Sequence, residues 1–201
     1  MLVHKGTQTI ETPRLILRRF TPYDAPAMFR NWASDPEVTK YLTWPTHQNM
    51  NVTASVLQDW VNSYQRADYY QWAITLKENG PEPIGSIGCH EGDDRIGKIE
   101  VGYCMGKRWW GKGIMGEAMG AVIWYLLEIV GFNRVQARHD PNNPASGAVM
   151  RKCGMQYEGT FRQADRNNQG ICDVAWYGIL RSDKNKKNQS EKSDWFFRIK
   201  R

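Results

Sequence analysis

The stretch Glu100-Val101-Gly102-Tyr103-Cys104-Met105-Gly106-Lys107-Arg108-Trp109-Trp110-Gly111-Lys112-Gly113-Ile114-Met115-Gly116 constrains this chain more than any other. Lys98–Met105 reads as a strand, and Arg108 to Gly113 as a tight turn. Ile114, Met115, Ala118, Val122, Tyr125, Leu126 and Ile129 then recur at three and four as one face of a helix over about 111–130, which Gly131 ends. A strand that passes through glycines into a helix exposes unpaired N–H groups and the positive end of the helix dipole, a natural seat for phosphate. Glycine matters there because a Cβ would hold a ligand off the backbone. The plainer alternative is a tight connection with no ligand.

Gly111, Gly113 and Gly116 also spell GxGxxG, and Asp140 falls where a ribose-binding acid would be expected in a dinucleotide fold. The surrounding pattern opposes that reading. The strand before the turn closes an antiparallel meander in mid-chain, two Trp separate Arg108 from Gly111, and too few elements follow to build a doubly wound sheet. No GK[ST] follows a glycine loop, so a Walker A site is excluded as well.

The meander is predicted from three runs, Tyr70–Lys77, Ile84–Glu91 and Lys98–Met105, joined through Glu78-Asn79-Gly80-Pro81 and Gly92-Asp93-Asp94. Before it come a strand over 14–20, a helix from Thr21-Pro22 to about Ser34, and a helical turn opened by Asp35-Pro36. A second amphipathic helix over about 51–66 places Val52, Val56, Leu57, Trp60, Val61 and Tyr64 on one stripe. After the glycine turn and its helix, a strand Arg134–His139 leads to a helix from Asn143 to Lys152 closed by Gly154. A hairpin of 155–166 with Ile171–Leu180, turned at Asn167-Asn168-Gln169-Gly170, completes the pattern. The order β-α-α-β-β-β-α-β-α-β-β over 1–180 is one α+β domain.

Charge points away from a nucleic-acid partner. The chain carries 27 Lys+Arg and 21 Asp+Glu, net +6, but 181–201 holds eight basic residues against three acidic ones. The domain itself is nearly neutral, whereas a nucleic-acid footprint lies on a folded face. Residues 181–201 are expected to be a solvated or partly docked basic tail, with Trp195-Phe196-Phe197 as its one apolar feature. Cys89, Cys104, Cys153 and Cys172 stand singly, without CxxC pairs or ligand spacing to the four His, so neither a metal site nor a disulfide framework is expected. The start MLVHKGTQTIETPR lacks an apolar h-region and no run is long enough to span a membrane, so a cytoplasmic location is expected.

Arg108-Trp109-Trp110-Gly111-Lys112-Gly113 resembles the (Q/R)xxGx(G/A) acyl-CoA motif of the GNAT N-acetyltransferases. ETPRLILRRF, KIEVGYCMGKRWWGKG, DPNNPAS and GMQYEGTFR extend the resemblance over nearly all of 11–180, toward the RimJ/RimL-like branch of ribosomal-protein N-terminal acetyltransferases. Met155 departs from the usual Phe of that branch, and Met150 from a Tyr common in the superfamily.

The resemblance implies a mostly antiparallel sheet flanked by helices and splayed between strands 98–105 and 134–139, with acetyl-CoA as donor and no metal. It implies transfer to a primary amine, either a protein N-terminus or a small molecule, without an acyl-enzyme; a non-catalytic acyl-CoA sensor is the alternative. Backbone N–H groups from Arg108 through Gly111, Lys112, Gly113 and Ile114 would cradle the pyrophosphate, with charge from Arg108 and Lys112. Pantetheine would lie along Tyr103, Cys104 and Met105 and meet Asn143. The oxyanion donor would be an N–H at a bulge near Cys104 or Met105. Glu100 is the implied base, directly or through water, unless it is an ordinary solvent-facing carboxylate. Ser146 is the implied proton donor to sulfur, and Asn143-Pro144 also suits a helix start. Tyr41, Trp44, His47, Tyr69, Tyr70, His90, Glu91 and Asp173 are candidates for the acceptor wall, and a homodimer is a further implication.

Overall fold

The computed structural model describes residues 1–183 and the backbone of 198–199. Nine strands form one sheet: β1 (Ile10–Glu11), β2 (Leu15–Arg18), β3 (Gln71–Leu76), β4 (Pro83–Asp93), β5 (Lys98–Met105), β6 (Arg134–His139), β7 (Gln156–Asn167), β8 (Gly170–Leu180) and β9 (Arg198–Ile199). Their order is β7-β8-β6-β5-β4-β3-β2-β1-β9. Short links make β3 to β5 an antiparallel meander, and β2 pairs antiparallel with β3 although three helices lie between them in the chain. The crossover through a helix makes β5 and β6 parallel.

That parallel pair is where the sheet opens. β5 and β6 pair only at Lys98↔Arg134, Ile99↔Val135 and Glu100↔Gln136. Beyond Glu100, β5 stays bound to β4 as far as Met105, while β6 stays bound to β8 as far as His139. The two strands diverge, leaving an unpaired backbone edge inside the molecule.

Among the described residues five α-helices flank the sheet: α1 (Ala25–Met28), α2 (Pro36–Thr39), α3 (Met50–Ser63), α4 (Ile114–Trp124) and α5 (Pro144–Lys152). α1 is the middle of a continuous helical stretch, entered by a 3-10 turn at Pro22–Asp24 and left by a wide turn at Phe29–Ala33. α4 likewise continues through a wide turn, Tyr125–Val130, to Gly131. One core layer, including Trp72, Tyr125 and Phe132, lies between the sheet and α4–α5. The other, around Trp32 and Leu57, lies under α1 and α3. On the predicted α3 stripe Leu57 is fully buried, but Val52 is exposed; Thr53 takes the inward place.

Two further boundaries differ from expectation. β4 runs past Glu91, because Asp93 pairs with Lys98 after a register shift, so the reversal falls at Asp94–Gly97. The tail is not wholly solvated, since β9 pairs with β1 at Ile10↔Ile199 and Glu11↔Arg198 and extends the sheet edge. Trp195-Phe196-Phe197 lies outside the described residues. Among the described residues no helix is long and apolar enough to cross a membrane.

Candidate active site

A cleft of about 1070 Å³ occupies the splay and passes to both faces of the sheet. Its volume exceeds that of most single small-ligand pockets and suits two reactants. One end is the glycine turn. Gly111 and Gly113 adopt φ of 73° and 72°, the left-handed region that a side chain strains. The Glu117 N–H to Gly113 carbonyl bond, 3.1 Å, opens α4, leaving the N–H groups just before it without helical acceptors. Arg14, which the sequence reading did not single out, buttresses the turn by donating to the Lys112 carbonyl at 3.0 Å and pairing with Glu117 at 2.6 Å. Trp110 Nε1 donates to the Met105 carbonyl at 2.7 Å, tying the turn to the strand. Gly111, Gly113 and Ile114 line the cleft; Arg108 and Lys112 are exposed and stand outside its lining.

The open edge of β5 forms the cleft's middle. Pairing with β4 is uninterrupted from Glu100 to Met105, so the expected bulge near Cys104 or Met105 is not there. The Gly106 N–H donates to the Ile84 carbonyl. By strand alternation the N–H of Cys104 points to β4 as well, and those of Tyr103 and Met105 point into the splay. Cys104 Sγ lies 3.3 Å from Ser86 Oγ, and burial pushes its thiol up to about 11, which keeps it protonated and unreactive.

Facing that edge is the start of α5. Asn143 holds the N-cap position, yet its side chain makes no capping bond. Ser146, one turn along, is half-buried, and its Oγ lies 2.9 Å from the Tyr103 hydroxyl, which also donates to the Ser146 carbonyl at 3.0 Å. Burial pushes the Tyr103 phenol up, so it stays a donor at neutral pH. Met150 is 1% exposed and packed in the core, so no tyrosine is available from that position. Asp140 is spent on the chain itself, accepting from Asn142 N–H and Asn167 Nδ2, both at 2.8 Å. That bonding removes it as a ribose-binding acid.

Glu100 is not a solvent-facing carboxylate: its side chain is 1% exposed. Oε1 lies 3.1 Å from Arg138 Nε and 3.5 Å from His90 Nε2, and Oε2 accepts from Gln136 Nε2 at 3.3 Å. Burial by itself would push this carboxyl up; the contact with His90, the Arg138 charge and the Gln136 amide outweigh it and hold the group below the ordinary carboxylate range.

The third wall comes from the other face of the sheet. Tyr41, Trp44, His47, His90 and Glu91 line it as expected. Tyr69, Tyr70 and Asp173 do not: Tyr69 packs against Tyr64, Tyr70 is a core residue bonded to His4, and Asp173 accepts from the Gln163 N–H. Gln71, Trp60, Arg138 and Asp165 line the cleft in their place. Arg138 and Asp165 share a face through the β6–β8–β7 register, which no local pattern reveals. The hairpin tip closes this wall: Asn168 Nδ2 donates to the Thr39 and Trp44 carbonyls, both at 2.8 Å. His47 is held by Thr53 Oγ1 at 2.8 Å, and burial lowers its pKa, so it is neutral at pH 7.

A family model described as an acetyltransferase (GNAT) domain matches residues 14–156. The chain is 30% identical over 176 residues to an uncharacterized N-acetyltransferase, p20, of Bacillus licheniformis, covering 88% of this chain and 98% of that one. It is 28% identical over 140 residues to the ribosomal-protein-serine acetyltransferase of Escherichia coli, covering 69% and 76%. Among solved structures, RimL, a ribosomal L7/L12 alpha-N-protein acetyltransferase in complex with coenzyme A, superposes with a TM-score of 0.77 at 21% identity, covering 86% of this chain and 98% of that one.

Proposed function

The chain belongs to the GNAT acetyltransferase family, and from that premise we propose that it moves the acetyl group of acetyl-CoA to a primary amine by direct attack in a ternary complex. The observation that carries this reading is the opening of β5 from β6 beyond Glu100, with the glycine turn at one end and a buried carboxylate at the branch point. The donor fits: positive-φ glycines present N–H groups for its phosphates, and the free edge at Tyr103 and Met105 can pair with its amides like an added strand. Bound there, it supplies an activated thioester.

In this reading Asn143 orients the pantetheine arm, and the Met105 N–H receives the negative charge that develops on the thioester oxygen. Glu100 supplies the fixed negative charge that helps deprotonate the amine, which otherwise stays mostly protonated at neutral pH. Ser146 returns a proton to sulfur. The raised Cys104 thiol favours direct transfer over an acyl-enzyme. Four free cysteines suit a reducing cytosol.

For the acceptor we favour a protein N-terminus, on the strength of relatives named for ribosomal-protein acetylation. Mass spectrometry after incubation with acetyl-CoA and either N-terminal peptides or small amines such as spermidine tests this. A mass gain on peptides supports it, a gain on small amines alone redirects it, and bound acetyl-CoA with neither product indicates an acyl-CoA sensor.

A further inference from the structure

We propose that His90 is the group that takes the proton from the acceptor amine, and that Glu100 acts through it as a positioning residue. The inference rests on the acetyl-transfer reading above. Glu100 cannot meet the amine: 1% of its side chain is exposed and both oxygens are engaged. Protonating it would also leave the Arg138 guanidinium beside a neutral acid, and breaking a pair of this kind is costly.

His90 has the access that Glu100 lacks. Its side chain is half exposed and lines the same cleft, and it stands directly across from Glu100 in the β4–β5 ladder. Gly102 makes this possible, because a Cβ there would lie 2.6 Å from His90 Cε1. The ring therefore leans along β5 over residue 102, beside the part of the strand that has already parted from β6. Immediately after His90, Glu91 takes φ 50° and the register shifts, ending regular pairing beside the ring.

The surrounding charges suit an imidazole that becomes cationic. Glu100 faces it from β5; Arg138 of β6 is shared among Glu100, Glu91 at 3.6 Å and Asp165 of β7 at 3.5 Å. Three carboxylates around one guanidinium leave net negative charge. With Nε2–H directed at Glu100, Nδ1 holds the lone pair. An ammonium gives one proton to Nδ1 and becomes the nucleophile. As its nitrogen bonds the acetyl carbon and the carbon–sulfur bond breaks, Ser146 protonates sulfur. The proton lost from the amide nitrogen restores the serine, and His90 releases its own to solvent.

The test measures thiol release from acetyl-CoA with an N-terminal-serine peptide and with spermidine, in wild type, His90→Gln, His90→Ala and Glu100→Gln. His90→Gln is expected to lose about 100-fold in kcat/KM, within the range for general bases, with an unchanged acetyl-CoA Kd. Added imidazole should restore activity to His90→Ala and not to Glu100→Gln. Glu100→Gln should move the acid limb of the pH profile to lower pH. A His90→Gln enzyme with the wild-type rate and the wild-type acid limb overturns the proposal. If wild type releases no thiol with either acceptor, the transfer reading fails by itself. NMR titration of the His90 ring then decides the pairing: a midpoint that Glu100→Gln lowers supports it, and one that does not move overturns it.

Discussion

At the scale of single residues, chemistry here depends on pairs far apart in sequence. Asn143-Pro144-Ala145-Ser146 makes Ser146 a candidate in the sequence, and Tyr103 is a candidate donor contact; their hydroxyl bond, 2.9 Å across 43 positions, is not visible there, because it exists only where the split strand meets α5. Ser146→Ala should lower kcat about tenfold or more while leaving the acetyl-CoA Kd near wild type, and Tyr103→Phe should show a smaller fall of the same kind. Single-turnover kinetics and calorimetry check both. Gly102 looked like one glycine among many, and only the approach of His90 gives it a reason. Gly102→Ala should displace that ring and depress kcat/KM with a small change in Tm, a split measured by kinetics beside thermal melts.

At the scale of elements, the strand–turn–helix unit was legible because its signals are local: alternation, glycines, then the helical period. The structure starts α4 at Ile114 rather than 111, since Gly111 and Gly113 remain in the left-handed turn. Gly113→Ala forces a Cβ into that conformation at a cost of about 1–2 kcal/mol, so acetyl-CoA affinity should fall roughly five- to thirtyfold, measured by calorimetry, if the turn yields rather than the fold. The β7–β8 hairpin was legible from its turn residues, but not the use of its tip. Asn168 grips the loop carrying Trp44 through two carbonyls. Asn168→Ala should therefore raise KM for the amine and leave acetyl-CoA binding intact, which initial-rate kinetics at saturating donor can show.

At the scale of the whole molecule, several buried groups make stability pH-dependent in one direction. Burial lowers His47 and His139 below the ordinary 6.5, so each resists the proton that the unfolded chain accepts as pH falls through that value. For Glu100 burial raises and its partners lower, with a net shift below the ordinary 4.5; its contribution is present above 4.5 and is lost as pH drops through the folded value. The unfolded state binds more protons in every case, so stability should decline from pH 7 to 4, measurable by urea denaturation at each pH. The sequence by itself determined the α+β element order, the glycine turn and the near-neutral domain, because these follow from periodicity, local backbone chemistry and charge counting, while the family fold was implied by the resemblance of its motifs. Only the tertiary structure decided that Glu100 is sealed behind His90, that Arg138 and Asp165 join them, and that Tyr70 and Asp173 do not. Those outcomes depend on sheet register and on where β5 leaves β6, which bring distant residues onto one face by long-range pairing rather than by any local pattern.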